Sequence, residues 1–161
     1  MNININNGIT GDIVVLNQSS FNKNVDSLYL RMTPSFQNLI RQHTSGALDV
    51  SICALLEYGI EQIKRENIQI TVNKCNKEVV IWVEKRINET QPFITTNYKA
   101  SRSETRSVFV RMNKGLKNKL LELSKSKYSI SALGIIKFAL DLLIKKQQSL
   151  IVKNEVIYDK N

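Results

Sequence analysis

Leu28-Tyr29-Leu30-Arg31-Met32 returns eighty positions later as Val108-Phe109-Val110-Arg111-Met112. The offset then holds without a gap well beyond these five residues. Asn38 meets Asn118, Ser51 meets Ser131, Leu55-Leu56 meets Ile135-Ile136, Tyr58 meets Phe138, Gly59 meets Ala139 and Ile63 meets Leu143. Chance rarely keeps apolar, small and charged classes in step over such a stretch, so the chain contains an internal duplication.

Each copy reads as a short strand, a helix and a longer helix. In copy one Thr33-Pro34-Ser35 opens the first helix, with a hydroxyl to accept from an orphan amide and a proline suited to the first helical position. Phe36, Leu39, Ile40 and His43 then fall on one helical face. Copy two has Asn113 as the cap and presents Leu116, Leu120 and Leu123. His43, the single histidine, occupies the position of Leu123 and reads as a packed or rim residue. Ser45-Gly46 and Lys125-Ser126 mark a turn. The second helix is expected to begin near Ser51 or Ser131, with Asp49 or Ser129 as competing caps. Its apolar stripe is Ile52, Leu55, Leu56, Gly59, Ile60 and Ile63 in copy one. In copy two it is Ala132, Ile135, Ile136, Ala139, Leu140 and Leu143. Small Gly59 and Ala139 would let a facing helix approach closely.

Outside the repeat, residues 68–72 and 79–83 flank a polar 73–78 turn, and 150–152 and 156–158 flank 153–155, so each copy is followed by a candidate hairpin. Residues 3–5 and 13–16 are apolar, β-branched candidates for further strands. Residues 97–106 are polar and basic and read as a flexible lead into the second copy.

Composition narrows the function classes. The chain has 161 residues, 42% hydrophobic, with 2 Pro and 6 Gly, which indicates a folded chain rather than a disordered one. No apolar run approaches the ~18 residues of a membrane span, and residues 1–11 lack the basic and apolar regions of a signal peptide. An intracellular protein without a membrane partner is the expectation. The net charge of +9 favours polyanionic partners, nucleic acid being the commonest. Cys53 and Cys75 form no CxxC pair or zinc spacing. No Gly-rich phosphate loop and no Cys/His nucleophile pattern is present, so no enzyme, metal, cofactor or catalytic residue is expected. Cys53 reads as a small core hydrophobe. Cys75 could be a regulatory thiol, although no redox partner is recognisable.

A unit of about forty residues buries too little surface alone, whereas two copies can interlock, strands paired antiparallel and four helices beneath. Leu30-Arg31-Met32 and Val110-Arg111-Met112 each precede a capped amphipathic helix. The pattern Ser-x-x-x-hydrophobic-hydrophobic-x-x-small-hydrophobic then runs from Ser51 to Ile60 and from Ser131 to Leu140. In these features the chain resembles the ribbon-helix-helix family of Arc and MetJ, in a tandem single-chain form similar to regulators of archaeal viruses.

The resemblance implies an α+β fold: two ribbon-helix-helix units forming an intramolecular pseudo-dimer around an antiparallel two-stranded ribbon, plus short β-hairpins. It divides the chain into an N-terminal arm with short strands (1–25), unit one (26–66), a β-hairpin and linker (67–105), unit two (106–146) and a C-terminal hairpin or tail (147–161). It implies a sequence-specific regulator of transcription, more often a repressor, whose partner is double-stranded DNA. Chains would then be pseudo-dimeric monomers that can self-associate on DNA. An antitoxin-like protein-binding module and a DNA-coating or partition protein stand as alternatives.

In that family the ribbon enters the major groove and alternate strand residues read bases. With Leu28, Leu30 and Met32 facing the core, Ser27, Tyr29 and Arg31 face outward, matched by Ser107, Phe109 and Arg111. Arginine can donate bidentately to guanine. The two rings either meet a thymine methyl or a sugar, or are buried against a protein neighbour. The resemblance also sets Ser51 and Ser131 against a DNA phosphate at the start of the second helix, the alternative being ordinary caps. Residues 101–128 carry eight basic and two acidic side chains, against three and one over 21–48. Arg102, Arg106, Lys114, Lys117, Lys119, Lys125 and Lys127 are therefore candidate phosphate contacts, which hold register without choosing sequence.

Overall fold

The chain is α+β, with eight strands and four α-helices among the described residues. The elements run β1 (Asn2–Ile5), β2 (Ile13–Ser20), β3 (Val25–Met32), α1 (Pro34–His43), α2 (Leu48–Glu66), β4 (Gln69–Lys74), β5 (Lys77–Ile81), β6 (Phe93–Tyr98), β7 (Arg106–Asn113), α3 (Lys114–Ser124), α4 (Tyr128–Lys146) and β8 (Leu150–Ile157). The structure, a computed structural model, describes residues 2–5, 12–20, 25–83, 90–124 and 128–157. The expected turn at Lys125-Ser126 and the residue Tyr158 lie outside them.

β3 and β7 form a two-stranded antiparallel sheet in which Tyr29 pairs with Phe109, Ser27 with Arg111 and Arg31 with Ser107. Tyr29 and Phe109 are equivalent residues of the two copies, so an approximate twofold axis passes through this rung. Alternation decides the faces: Leu28, Leu30, Met32, Val110 and Met112 are buried. Beneath them α2 packs on α4. A Cβ on Gly59 would stand 2.6 Å from Ile135 Cγ2 and 3.5 Å from the Cβ of Ala139, its own counterpart. The close helix approach expected at these small residues is thus present, and it lies at a second pair of equivalent positions.

Local chemistry ends the helices where it must. Thr33, in extended conformation, accepts from the Phe36 amide at 3.2 Å, and Pro34 takes the first helical position. Asn113 accepts from the Gly115 amide at 2.7 Å at the start of α3. Asn67 and Gln147, eighty positions apart, both take the left-handed conformation that stops α2 and α4. The second helices begin earlier than expected. α2 starts at Leu48 after Ala47, which offers no side-chain cap, and α4 starts at Tyr128.

Two three-stranded sheets complete the fold, in the orders β1-β2-β8 and β5-β4-β6. β4 turns into β5 through Cys75 and Asn76 alone, both at positive φ, as a two-residue hairpin loop requires. The hairpin expected over 68–83 is therefore present with a tighter turn. The C-terminal hairpin is not: residues 150–157 form one continuous strand, held parallel to β2 from Ile13↔Leu150 to Ser20↔Ile157. The flexible lead over 97–106 is also corrected, since β6 runs to Tyr98 in parallel pairing with β4, and a 3-10 turn at Arg102–Glu104 follows.

The duplication therefore reaches further than its sequence trace. Each copy is strand, strand, helix, helix, strand, and the last strand of each pairs parallel with the first strand of the other. Sheet β5-β4-β6 packs on α4 and sheet β1-β2-β8 on α2. At Gly134, the counterpart of Ala54, the first sheet approaches so closely that an added Cβ would overlap Val72 Cγ2. Both Val72 and Ile81 are buried there.

Candidate nucleic-acid interface

The outward face of the β3–β7 ladder is a row of three cross-strand pairs: Ser27/Arg111, Tyr29/Phe109 and Arg31/Ser107. Tyr29 is 63% exposed and Phe109 47% exposed, with ring centroids 5.0 Å apart and planes tilted by 53°. Neither ring is buried against a protein neighbour within the chain. Both are held out by strands whose opposite face is anchored in the core.

The two arginines of the row differ. Arg31 is half-buried: its Nε donates to Thr105 Oγ1 at 3.1 Å, and one terminal nitrogen donates to the carbonyls of Thr105 at 3.1 Å and Arg102 at 3.2 Å. These bonds tie β3 to the turn that leads into β7. Arg111 is exposed, and its guanidinium makes no hydrogen bond or ion pair among the described residues. Its carbonyl accepts from the Cys53 thiol at 3.4 Å. Burial pushes that thiol up to about 12, with Asp49 and Glu57 adding to the effect. Cys53 is thus a neutral packing group beneath the ribbon.

The expected phosphate contacts fall into groups. Arg102, Arg106 and Lys114 are exposed near the ribbon ends. Lys117 is instead turned inward, 3.1 Å from Asp26 and donating to the Ser27 carbonyl at 3.1 Å. The Ser27 amide and then Lys117 hold the Asp26 carboxyl below its usual range. Lys119 is paired with Glu57 of the other copy at 2.7 Å. Lys125 and Lys127 lie outside the described residues.

Ser51 and Ser131 stand corrected as surface contacts, being 1% and 0% exposed. Because α2 starts at Leu48, Ser51 sits a full turn inside it. Its amide donates to the Ala47 carbonyl and its hydroxyl to the Ser45 carbonyl at 3.3 Å. The Ser131 hydroxyl is buried and has no hydrogen-bond partner among the described residues. At the amide end of α2 the Asp49 carboxylate accepts from Val50 N at 2.9 Å, which disfavours an anion there. Ser129 stands at the same place in α4.

Tyr98 escaped the sequence reading because it lay in the supposed linker. Its hydroxyl accepts from the Thr33 amide at 2.9 Å and its ring meets Phe36 edge-on at 5.8 Å, joining β6 to the start of α1. The repeat gave no signal for it, since the residue eighty positions earlier is Gln18.

Among the described residues no helix is long and apolar enough to cross a membrane, and no three His, Cys, Asp or Glu side chains group as metal ligands. No family model, curated protein or solved structure matches this chain.

Proposed function

We propose that this chain is a sequence-specific double-stranded DNA-binding protein, a transcriptional regulator acting as a repressor, built from two ribbon-helix-helix units in one polypeptide. The observation that carries the reading is the β3–β7 ladder, with its apolar row buried and the row Ser27, Tyr29, Arg31, Ser107, Phe109 and Arg111 on the opposite side. A two-stranded ribbon fits a major groove about 12 Å wide. Exposed Arg102, Arg106 and Lys114 suit the flanking phosphates, and the net charge of +9 draws the protein to a polyanion.

In this reading the base-reading cation is Arg111. Nothing among the described residues must be released before it donates to guanine, whereas Arg31 would first give up three hydrogen bonds. Repression follows from occupancy, since a protein seated in the major groove of a promoter excludes polymerase.

Selection of binding sites from a random duplex library at fixed salt tests the reading. A defined motif is expected. Arg111→Ala should relax one base position of that motif by about 10–100-fold. Arg106→Ala should weaken all sequences alike and flatten the salt dependence by about one phosphate contact. Absence of any enriched motif would overturn the proposal.

A further inference from the structure

The rung at the approximate twofold axis carries two aromatic side chains where the row is otherwise polar and cationic. Moving along the ribbon, the outward pairs read Ser27/Arg111, Tyr29/Phe109, Arg31/Ser107. Rings this exposed are not explained by the core, which lies on the other face, and the ring contact each makes is with its partner at 5.0 Å. Aromatic groups favour burial of most of their area. An occupant that covers them must be apolar where the rings stand and rich in acceptors or negative charge to either side, where the serines and arginines stand.

A duplex major groove has one apolar feature, the C5 methyl of thymine. Phe109 has no polar atom and reads no donor or acceptor pattern, so a methyl is the base feature it can recognise. The rings come from equivalent positions of the two copies, one on each side of the axis. An axis shared with DNA relates the two strands of the duplex, so the thymines they meet belong to opposite strands. Successive outward residues on a strand are about 6.8 Å apart, which sets Arg111 about two base pairs from the centre.

Resting on the DNA-binding reading above, we infer that the Tyr29–Phe109 pair is a thymine-methyl reader, and that the bound site is centred on two adjacent A·T pairs with one thymine on each strand. The recognised class is thus duplex DNA with a 5′-AT or 5′-TA step at the middle of its site, flanked on the Arg111 side by a guanine.

The test uses the full chain and the duplex enriched from the random library, with deoxyuridine placed at each thymine in turn. Uracil keeps every hydrogen-bonding atom and removes only the methyl. At the two central positions each substitution should weaken binding about fourfold, the value of one buried methyl. Uracil outside the centre should have no effect. In Tyr29→Ala and Phe109→Ala the thymine-to-uracil ratio at the matching position should fall to near one, while cooperative thermal unfolding is retained because the core lies on the opposite face of the ribbon. An enriched motif with G·C at its centre, or equal binding of thymine and uracil there, overturns this inference while leaving the DNA-binding reading standing. No enriched motif at all overturns both. Undiminished DNA affinity in the two alanine variants, with a protein captured by the rings instead, also overturns it.

Discussion

Arg31 and Arg111 occupy equivalent rungs of one ladder, yet Arg31 is bound to Thr105 and the Arg102 carbonyl while the Arg111 guanidinium stands unbound among the described residues. The cause lies outside the ribbon. Thr105 is buried immediately before β7, whereas its counterpart Val25 is exposed at the start of β3. The lesson is that fusing two copies in one chain frees each half to diverge. One arginine has become part of the joint between copies, and the other keeps its guanidinium unbound among the described residues.

That comparison can be tested at three places. The largest effect is expected where copy two has Gly134 and copy one Ala54. Gly134→Ala should destabilise by about 1–3 kcal/mol through overlap with buried Val72, more than the ~1 kcal/mol that alanine's helix propensity returns. Denaturant midpoints should show part of the loss recovered when Val72→Ala is added. A neutral or stabilising Gly134→Ala would mean that β4 does not approach α4 so closely.

Next in size are the arginines themselves. Arg31→Ala removes hydrogen bonds to a buried threonine and should cost about 1–2 kcal/mol of stability. Arg111→Ala, at an exposed site, should stay within about 0.5 kcal/mol. Equal thermal shifts for the two would erase the distinction between a bound and an unbound guanidinium. The caps come last, below the loss expected at Arg31. Thr33→Ala and Asn113→Ala should each cost about 1 kcal/mol, read from the same unfolding curves. A loss at only one of them would show that the two first helices are begun by different means.

How much of this was legible from the residues can be traced position by position. The offset of eighty, with alternation along 28–32 and 108–112, sufficed to predict the pairing, the buried face and the exposed row. The Gly59/Ala139 approach was legible because both residues are small and fall within an apolar stripe. Distant partners were not legible. Lys153-Asn154-Glu155 looks like a turn, but it lies opposite Leu16, Asn17 and Gln18 of β2, far upstream. Lys117 and Lys119 looked free until Asp26 and Glu57 of the other copy were brought beside them. Ser51 and Ser131 resembled caps because hydroxyls favour helix starts. The true starts lie a turn earlier, where Ala47 offers no side-chain signal.

The crossed pairing of β8 with β2 also governs when the molecule can be completed. The Asp12 carboxylate accepts from the Ser149 amide across 137 positions, and Ile13, buried beside α2, has Leu150 as its neighbour in the sheet. During synthesis β2 must wait for β8, and until then one face of α2 stays uncovered. Joining ends so remote in sequence slows the search for the native arrangement. A nascent chain halted before Leu150 would present an open strand edge, to which β8 of a second molecule could add in its place.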